Sequence, residues 1–218
     1  MTTSQSKAFT IFDDTAKRAL QMLNASIEFL KSIPSISGYS KAEYNRNSIS
    51  SDMGRASIVL VVAAFDDYFT RRFSEDVVTY LKVHGVNDEL VNMLSKSGLD
   101  LKGALALLAM DRPYRRIKTL IQTYFDTYTT QRFVAIDNLF LAFGIRNFSQ
   151  NVQNKCHRKK MRRSIEKLVL RRHDIAHSGD LTKTGRLQVL DPEDTLYRTK
   201  LMIQFVEAAD GILDNRLK

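Results

Sequence analysis

The sequence predicts an all-α protein in which residues 1–218 form a single-domain helical bundle. Apolar residues recur in steps of three and four along most of the chain, as on the buried face of a helix. Only three prolines and nine glycines are present, too few for the frequent turns of a β-sandwich or barrel. With 44% hydrophobic and 26% charged residues, the chain can bury a core and is unlike a disordered polymer.

Two long helices are predicted in the first half of the chain. The first covers residues 6–31, where apolar side chains keep near-helical spacing. Ser51 or Asp52 is predicted to cap the second, and the polar stretch between the two helices is predicted to be a loop. The second helix is apolar on every side over residues 58–65 and ends near Gly85, which predicts that it is the central buried helix.

The second half of the chain predicts shorter helices and a long final one. The strongest local signal is the run from Asp191 to Asp194, which supplies an N-cap, a proline in the first turn and two acidic residues. It marks the start of the last helix. The other helices are predicted over residues 87–96, 101–110, 131–143 and 157–178, with one more beginning at Pro113.

Several classes of protein are disfavoured by composition. A single cysteine excludes a disulfide framework, and four scattered histidines leave little material for a structural zinc site. No membrane span is predicted, because the longest apolar run, residues 58–65, is far shorter than the ~20 residues that cross a bilayer. The first residues show no secretory signal, so we expect a cytoplasmic protein. No cofactor or metal is predicted.

The positive charge is concentrated in one segment. Residues 155–172 carry nine basic side chains against one acid, Glu166, whereas the net charge of the other 200 residues is only +1. Such a patch attracts polyphosphate, because each contacted phosphate releases counterions. A solvated helix face explains the same pattern, and so does a nuclear-localisation-like run. Candidate RNA-binding residues are Arg158, Lys159, Lys160, Arg162, Arg163 and Arg171.

An arginine stands at an unexpected place at the end of this basic helix. Met161, Ile165, Leu168 and Ile175 define its inward stripe, and Arg172 falls on that stripe. Burying a guanidinium without a partner costs several kcal/mol. Arg172 is therefore expected either to line a cleft or to pair with a carboxylate.

Asp66 is the expected partner of Arg172, with Asp67 as second choice. Both follow the apolar run of the central helix, where a carboxylate is equally out of place. Asp67 has an alternative partner in Arg71 at i+4, whereas Asp66 has no basic residue at i+3 or i+4. Asp174, inside the basic helix, is a third candidate supporting carboxylate.

The same helix places two histidines one turn apart. His173 and His177 are separated by four residues, so their imidazoles are neighbours on one face. The run from Arg172 to His177 resembles the R-polar-x-x-x-H motif of the HEPN superfamily, the higher eukaryotes and prokaryotes nucleotide-binding domains, in a RiboL-PSP-type or closely related branch. Residues 62–69, an apolar helix segment with an acidic residue before an aromatic one, are similar to the family as well. So is the Asp-Pro-Glu-Asp start of the last helix.

The resemblance implies a metal-independent endoribonuclease that works as a homodimer on RNA. His177 would be the general acid or base, since imidazole exchanges protons near neutral pH. Arg172 would hold the phosphate oxygens, and the products would carry 2′,3′-cyclic phosphate and 5′-hydroxyl ends. His173 stands where the family often has Asn. It would orient His177, bind phosphate, or act as the second acid–base group.

The resemblance also favours a toxin or an anti-phage defence effector. An inhibitory or antitoxin partner is compatible with such a role. Members that are silenced by adenylylation carry a tyrosine two places after the motif histidine, where this chain has Gly179. That form of control is therefore not expected.

Other interpretations of the same residues remain open. In a purely structural interpretation, Arg172 would fix the bundle through Asp66 and His177 would merely cap a helix terminus. A non-catalytic domain would keep Arg172 and His177 for binding RNA or nucleotides, and a regulatory module would contact an acidic protein through its basic helix. Zinc is an alternative for His173 and His177, although no glutamate stands at the metalloprotease position. Cys156 as a nucleophile is weaker, because no paired acid accompanies it. Tyr128 and Tyr197 are candidate base-stacking residues if exposed.

Overall fold

The structure is a computed structural model that describes residues 5–32 and 40–216. These residues form ten helices and no strand, with one isolated bridge between Leu181 and Leu187. The prediction of an all-α fold is thereby confirmed. The helices are α1 (Lys7–Lys31), α2 (Lys41–Arg46), α3 (Ser48–His84), α4 (Asp88–Lys96), α5 (Leu101–Leu107), α6 (Pro113–Phe125), α7 (Phe133–Leu141), α8 (Phe148–Lys155), α9 (Met161–Ser178) and α10 (Pro192–Arg216).

The central helix α3 begins earlier than predicted. Its N-cap is Asn47, whose side chain accepts a hydrogen bond from the Ser50 amide. The prediction of Ser51 or Asp52 as the cap was wrong, because the cap lies before the polar residues that open the helix. The short helix α2 also occupies part of the stretch that was predicted to be a loop. Pro34 and Gly38, which the sequence places after the first helix and which are expected to prevent its continuation, lie outside the described residues.

The segment before the basic helix also differs from the prediction. Residues 148–155 form a separate helix, α8, and α9 starts at Met161 instead of residue 157. Asn147 and His157 have positive φ angles of 50° and 52° and bracket α8. Since these are non-glycine residues in the left-handed region, periodicity alone does not reveal the two breaks. The basic residues 158–160 therefore belong to a turn.

Helix α3 is the middle of the core. Its buried aromatic side chains pack against those of neighbouring helices. The Phe69 ring lies edge-on at 6.0 Å from that of Phe140 and 6.4 Å from that of Phe205, whereas the Phe73 ring stacks on that of Phe143 at 4.4 Å. Helices α1, α6, α9 and α10 all pack against α3. This surrounds it with apolar partners, as its apolar sequence requires. The prediction of a central buried helix is confirmed.

By length and composition alone, α3 is also a candidate membrane span. It is the one such helix in the described part of the chain, and 56% of its most apolar window is buried within the protein. A core helix passes the same test.

A buried ionic cluster joins α3 to α10. Arg72 donates from Nε to Asp76, from Nη1 to Asp210 and from Nη2 to Asp214, over 2.6, 2.8 and 2.6 Å. Tyr68 donates its hydroxyl to Asp210. One guanidinium thus faces three carboxylates, and their negative charges are not balanced.

That imbalance is reflected at Asp76. Burial raises the pKa of Asp76 to about 6, although Arg72 opposes the shift, and the nearby charges of Glu75 and Asp210 add to it. The pKa of this carboxyl in the folded protein is above its value in the unfolded chain, ~3.9. Between these two pH values the folded protein therefore binds a proton that the unfolded chain lacks. Its contribution to stability is present at low pH and is lost as the pH rises through about 6.

We therefore predict that Asp76 makes the protein more stable at pH 5 than at pH 7. Its contribution to the free energy of unfolding rises by ~1 kcal/mol on going from pH 7 to pH 5. Asp76→Asn removes the titrating group and this gain with it. Urea unfolding of both proteins at several pH values measures the difference.

The control for this experiment is Asp67→Asn, which removes an exposed carboxylate from the same helix, where it pairs with Arg71. The stability difference between this variant and the wild type should change little between these two pH values. If the curves of the wild type and Asp76→Asn run parallel from pH 7 to pH 5, Asp76 does not take up the proton.

Candidate functional site

Helix α9 carries the candidate site at its C-terminal end. Met161, Ile165 and Leu168 are buried, and Ile175 packs half-buried against the core, as the predicted inward stripe requires. Gly179 ends the helix at φ 63°, and its amide donates to the Ile175 carbonyl. The predicted end of this helix at residue 178 is confirmed, because Gly179 adopts a conformation that few other residues adopt without cost.

Arg172 lies on the inward side of α9, as predicted, but it has no carboxylate partner there. Its side chain is half-buried, and its Nε is shielded from solvent without a hydrogen-bond acceptor. Within residues 5–32 and 40–216, Arg172 takes part in no ion pair. A guanidinium left in this state costs free energy, so something must compensate for it.

The expected pair between Asp66 and Arg172 is not formed. The Asp66 carboxylate accepts hydrogen bonds from Thr129, from the amide and hydroxyl of Thr130, and from the Gln131 side chain. These donors come from the loop between α6 and α7 and occupy its oxygens. The expectation was wrong because it weighed only charged partners, whereas hydroxyl and amide donors satisfy this carboxylate.

The other two supporting carboxylates do not reach Arg172 either. Asp67 pairs with Arg71 one turn later on α3, the alternative that the spacing had left open. Asp174 is half-buried, and its backbone carbonyl accepts from the Ser178 hydroxyl and the Asp180 amide.

The structure brings the two histidines together. The ring centroids of His173 and His177 are 4.3 Å apart, and both side chains are exposed. Arg172 and His177 are five positions apart in the sequence, which corresponds to a rise of about 7.5 Å and a rotation of about 140° on an ideal helix. The imidazoles therefore point to solvent, while the guanidinium lies against the adjoining, inward side.

Arg171 has a different environment from its neighbour. It donates from Nη2 to the Asp180 carboxylate over 2.8 Å and to the carbonyl oxygens of Gln188 and Val189. Arg55 of α3 donates from Nε to the same Asp180 oxygen over 2.7 Å. A fully buried carboxylate thus joins two helices and the loop after the motif.

The prediction that Arg171 contacts RNA does not fit these contacts, since its guanidinium is bound within the protein. Sequence reasoning also missed Asp180 and Arg55. The signal in the sequence is weak: Asp180 follows the helix-ending glycine, in the left-handed region that aspartate tolerates better than most residues.

The remaining basic residues divide into packed and free ones. The Arg162 guanidinium lies over the Phe133 ring, with Cζ 5.2 Å from the centroid, and donates to Gln150 over 2.9 Å. It is therefore part of the packing between α9 and its neighbours. The other candidates are exposed, and none has a side-chain partner in the described part of the chain; they are Arg158, Lys159, Lys160 and Arg163.

Two aromatic candidates differ in exposure. Tyr128 is half-buried and donates its hydroxyl to the Ala135 carbonyl, whereas Tyr197 is 54% exposed. Among the described residues, no three His, Cys, Asp or Glu side chains converge as a metal site would require.

We predict that Asp180→Asn lowers the free energy of unfolding by about 3 kcal/mol, because it leaves two guanidinium groups buried without their shared anion. Chemical denaturation of the wild type and the variant measures this.

Asp52→Asn is the matched control. Its carboxylate also faces Arg55, at 3.5 Å, but its side chain is 68% exposed. We expect it to change stability by less than about 0.5 kcal/mol. Equal effects of the two substitutions would contradict the role given to Asp180.

Comparisons with known proteins identify the family. No curated protein and no solved structure matches the chain. A family model described as RiboL-PSP-HEPN matches residues 22–215, which include every helix from α2 to α9, nearly all of α10 and the C-terminal part of α1. Such a domain indicates a ribonuclease or nucleotide-related function. An all-α fold and a model match over most of its length show that the chain belongs to the RiboL-PSP-HEPN family.

Proposed function

We propose that this protein is a metal-independent endoribonuclease that leaves 2′,3′-cyclic phosphate and 5′-hydroxyl ends. The observation that carries the proposal is the unpaired state of Arg172. Among the described residues this half-buried guanidinium has no counterion, and two exposed imidazoles follow it on α9, at one and five positions later in the sequence. It is therefore suited to bind an anion that arrives with a ligand. A phosphodiester supplies such an anion.

The chemistry needs one proton acceptor, one proton donor and one cation. His177 removes the proton from the ribose 2′-hydroxyl, and that oxygen attacks the adjacent phosphorus. The bond from phosphorus to the 5′-oxygen breaks, and a second imidazole gives the leaving oxygen a proton. Arg172 stabilises the charge that builds up on the non-bridging oxygens.

The second imidazole has two sources in this proposal. His173 lies within ring contact of His177 in the same chain. A two-fold homodimer would bring a second motif to the first, and it would place further groups against Arg172. Both histidines are exposed, so their imidazoles are accessible to a substrate or to a second protomer, which supports either arrangement.

The biological role remains a proposal as well. The family and the exposed cations support an RNA-directed toxin or anti-phage effector that acts in the cytoplasm and is inhibited by a partner. Binding of RNA or nucleotides without cleavage is the second candidate, because free cations on α9 serve binding as well as cutting.

We predict that the purified protein cuts total RNA or tRNA in excess EDTA. His177→Ala should reduce the rate 10²–10⁴-fold, the usual contribution of a general acid or base, so about 10³-fold. Arg172→Gln should cost about 10²–10³-fold, since it removes charge stabilisation in the transition state. End-group analysis of the fragments checks for cyclic phosphate.

His84→Ala is the control, because it removes an exposed histidine at the end of α3. It should leave the rate unchanged. Circular dichroism of each variant separates loss of activity from loss of folding. Salt-dependent RNA binding without cutting would favour the second candidate, and cleavage by His177→Ala at the wild-type rate would refute the nuclease proposal.

A further inference from the structure

One face of α9 forms a continuous exposed strip that leads away from the histidines. Arg163, Lys167, Leu170, His173 and His177 are all exposed and recur every three or four residues. At 100° per residue they stay within about 120° of one another around the helix. We call these five residues the α9 strip.

The far end of the α9 strip is basic. Lys159 and Lys160, in the turn before α9, join Arg162 and Arg163 around a shallow cavity of about 270 Å³. Gln153 and one acid, Glu166, also line it, so the cations outnumber the acid by four to one. Lys159, Lys160 and Arg163 have no side-chain partner among the described residues, so their charges are available to a ligand.

The middle of the strip carries an unexpected apolar residue. Leu170 is 64% exposed, between the basic end and the histidines. A side chain of this kind can lie against the face of an unpaired base, whereas it contributes nothing to the binding of isolated phosphate.

We propose that the α9 strip is a track for single-stranded RNA, so that efficient substrates must extend well beyond the cleaved bond on one side. This inference rests on the proposed nuclease function. Arg163 and His177 are fourteen residues apart, or about 21 Å along the helix. At ~3.4 Å per stacked nucleotide, the RNA must continue for about six nucleotides to reach the basic end.

The test uses DNA oligonucleotides with one ribonucleotide, so that only one phosphodiester has a neighbouring 2′-hydroxyl. The strand is lengthened stepwise on the 5′ or the 3′ side of that position. We expect kcat/KM to rise about tenfold as one side reaches roughly six nucleotides and then to level off. Extension on the other side should have little effect.

Charge-removing variants connect this response to the track. The triple variant Lys159→Gln, Lys160→Gln, Arg163→Gln should lose the gain in kcat/KM that the wild type shows with longer substrates. The matched control, Arg112→Gln, Arg115→Gln, Arg116→Gln, removes the same charge from exposed residues at the start of α6. It should keep the length dependence.

Binding to the His177→Ala protein tests the track without cleavage. The triple variant Lys159→Gln, Lys160→Gln, Arg163→Gln should lower the magnitude of the slope of log affinity against log salt by about 2, because each phosphate contact with a single strand contributes ~0.7. Leu170→Glu should weaken binding of long strands, whereas Leu108→Glu, on an exposed leucine elsewhere, should not.

The outcomes separate the two proposals. One outcome is that His177→Ala abolishes cleavage while neither substrate length nor the triple variant Lys159→Gln, Lys160→Gln, Arg163→Gln changes kcat/KM. In that case the track is wrong and the nuclease proposal stands. The track is refuted if neither triple variant weakens the binding of long strands. It is also refuted if the control at residues 112, 115 and 116 weakens that binding as much as the variant at residues 159, 160 and 163, whether or not the protein cuts. If Leu170→Glu converts a dimer into a monomer, a second copy covers the strip, and the track is also refuted.

Discussion

The position of the candidate site depends on the contact of two arginines with one buried carboxylate. Asp180 binds Arg55 of α3 and Arg171 of α9 through the same oxygen. An aspartate with no exposed surface is tolerated only when cations and donors surround it. This contact fixes the C-terminal end of α9 to the central helix, and thereby fixes where the histidines point.

The adjacent arginines show how burial and pairing divide structure from function. Arg171 has a carboxylate and two backbone carbonyls as partners, and it serves the fold. Arg172 has none of these, although its Nε is equally removed from water. A partly buried guanidinium without a partner is suited to bind an anion that a ligand supplies. The exposed imidazoles on the same helix are consistent with the phosphodiester proposed above.

Much of the fold follows from local sequence signals. The all-apolar run of α3 predicts its central position, and Asp191 caps the last helix through hydrogen bonds to the amides of Glu193 and Asp194. The breaks around α8 are not predictable in this way, because Asn147 and His157 adopt positive φ without a glycine to indicate it. For the site, spacing places Arg172 and the two histidines correctly on α9. It does not predict the partners of Asp66 or the role of Asp180, which depend on contacts between residues far apart in sequence.

The stiffness of α9 has a consequence for what the enzyme would leave behind. The helix is uninterrupted from Met161 to Ser178, and Arg198 of α10 donates to the Ser164 carbonyl near its start, while Asp180 holds its other end. The distance between the basic end of the α9 strip and the two histidines is therefore fixed. On the proposed track, fragments shorter than this distance would no longer reach the basic end of the strip and would bind weakly. Exhaustive digestion would then stall at short oligonucleotides instead of proceeding to mononucleotides.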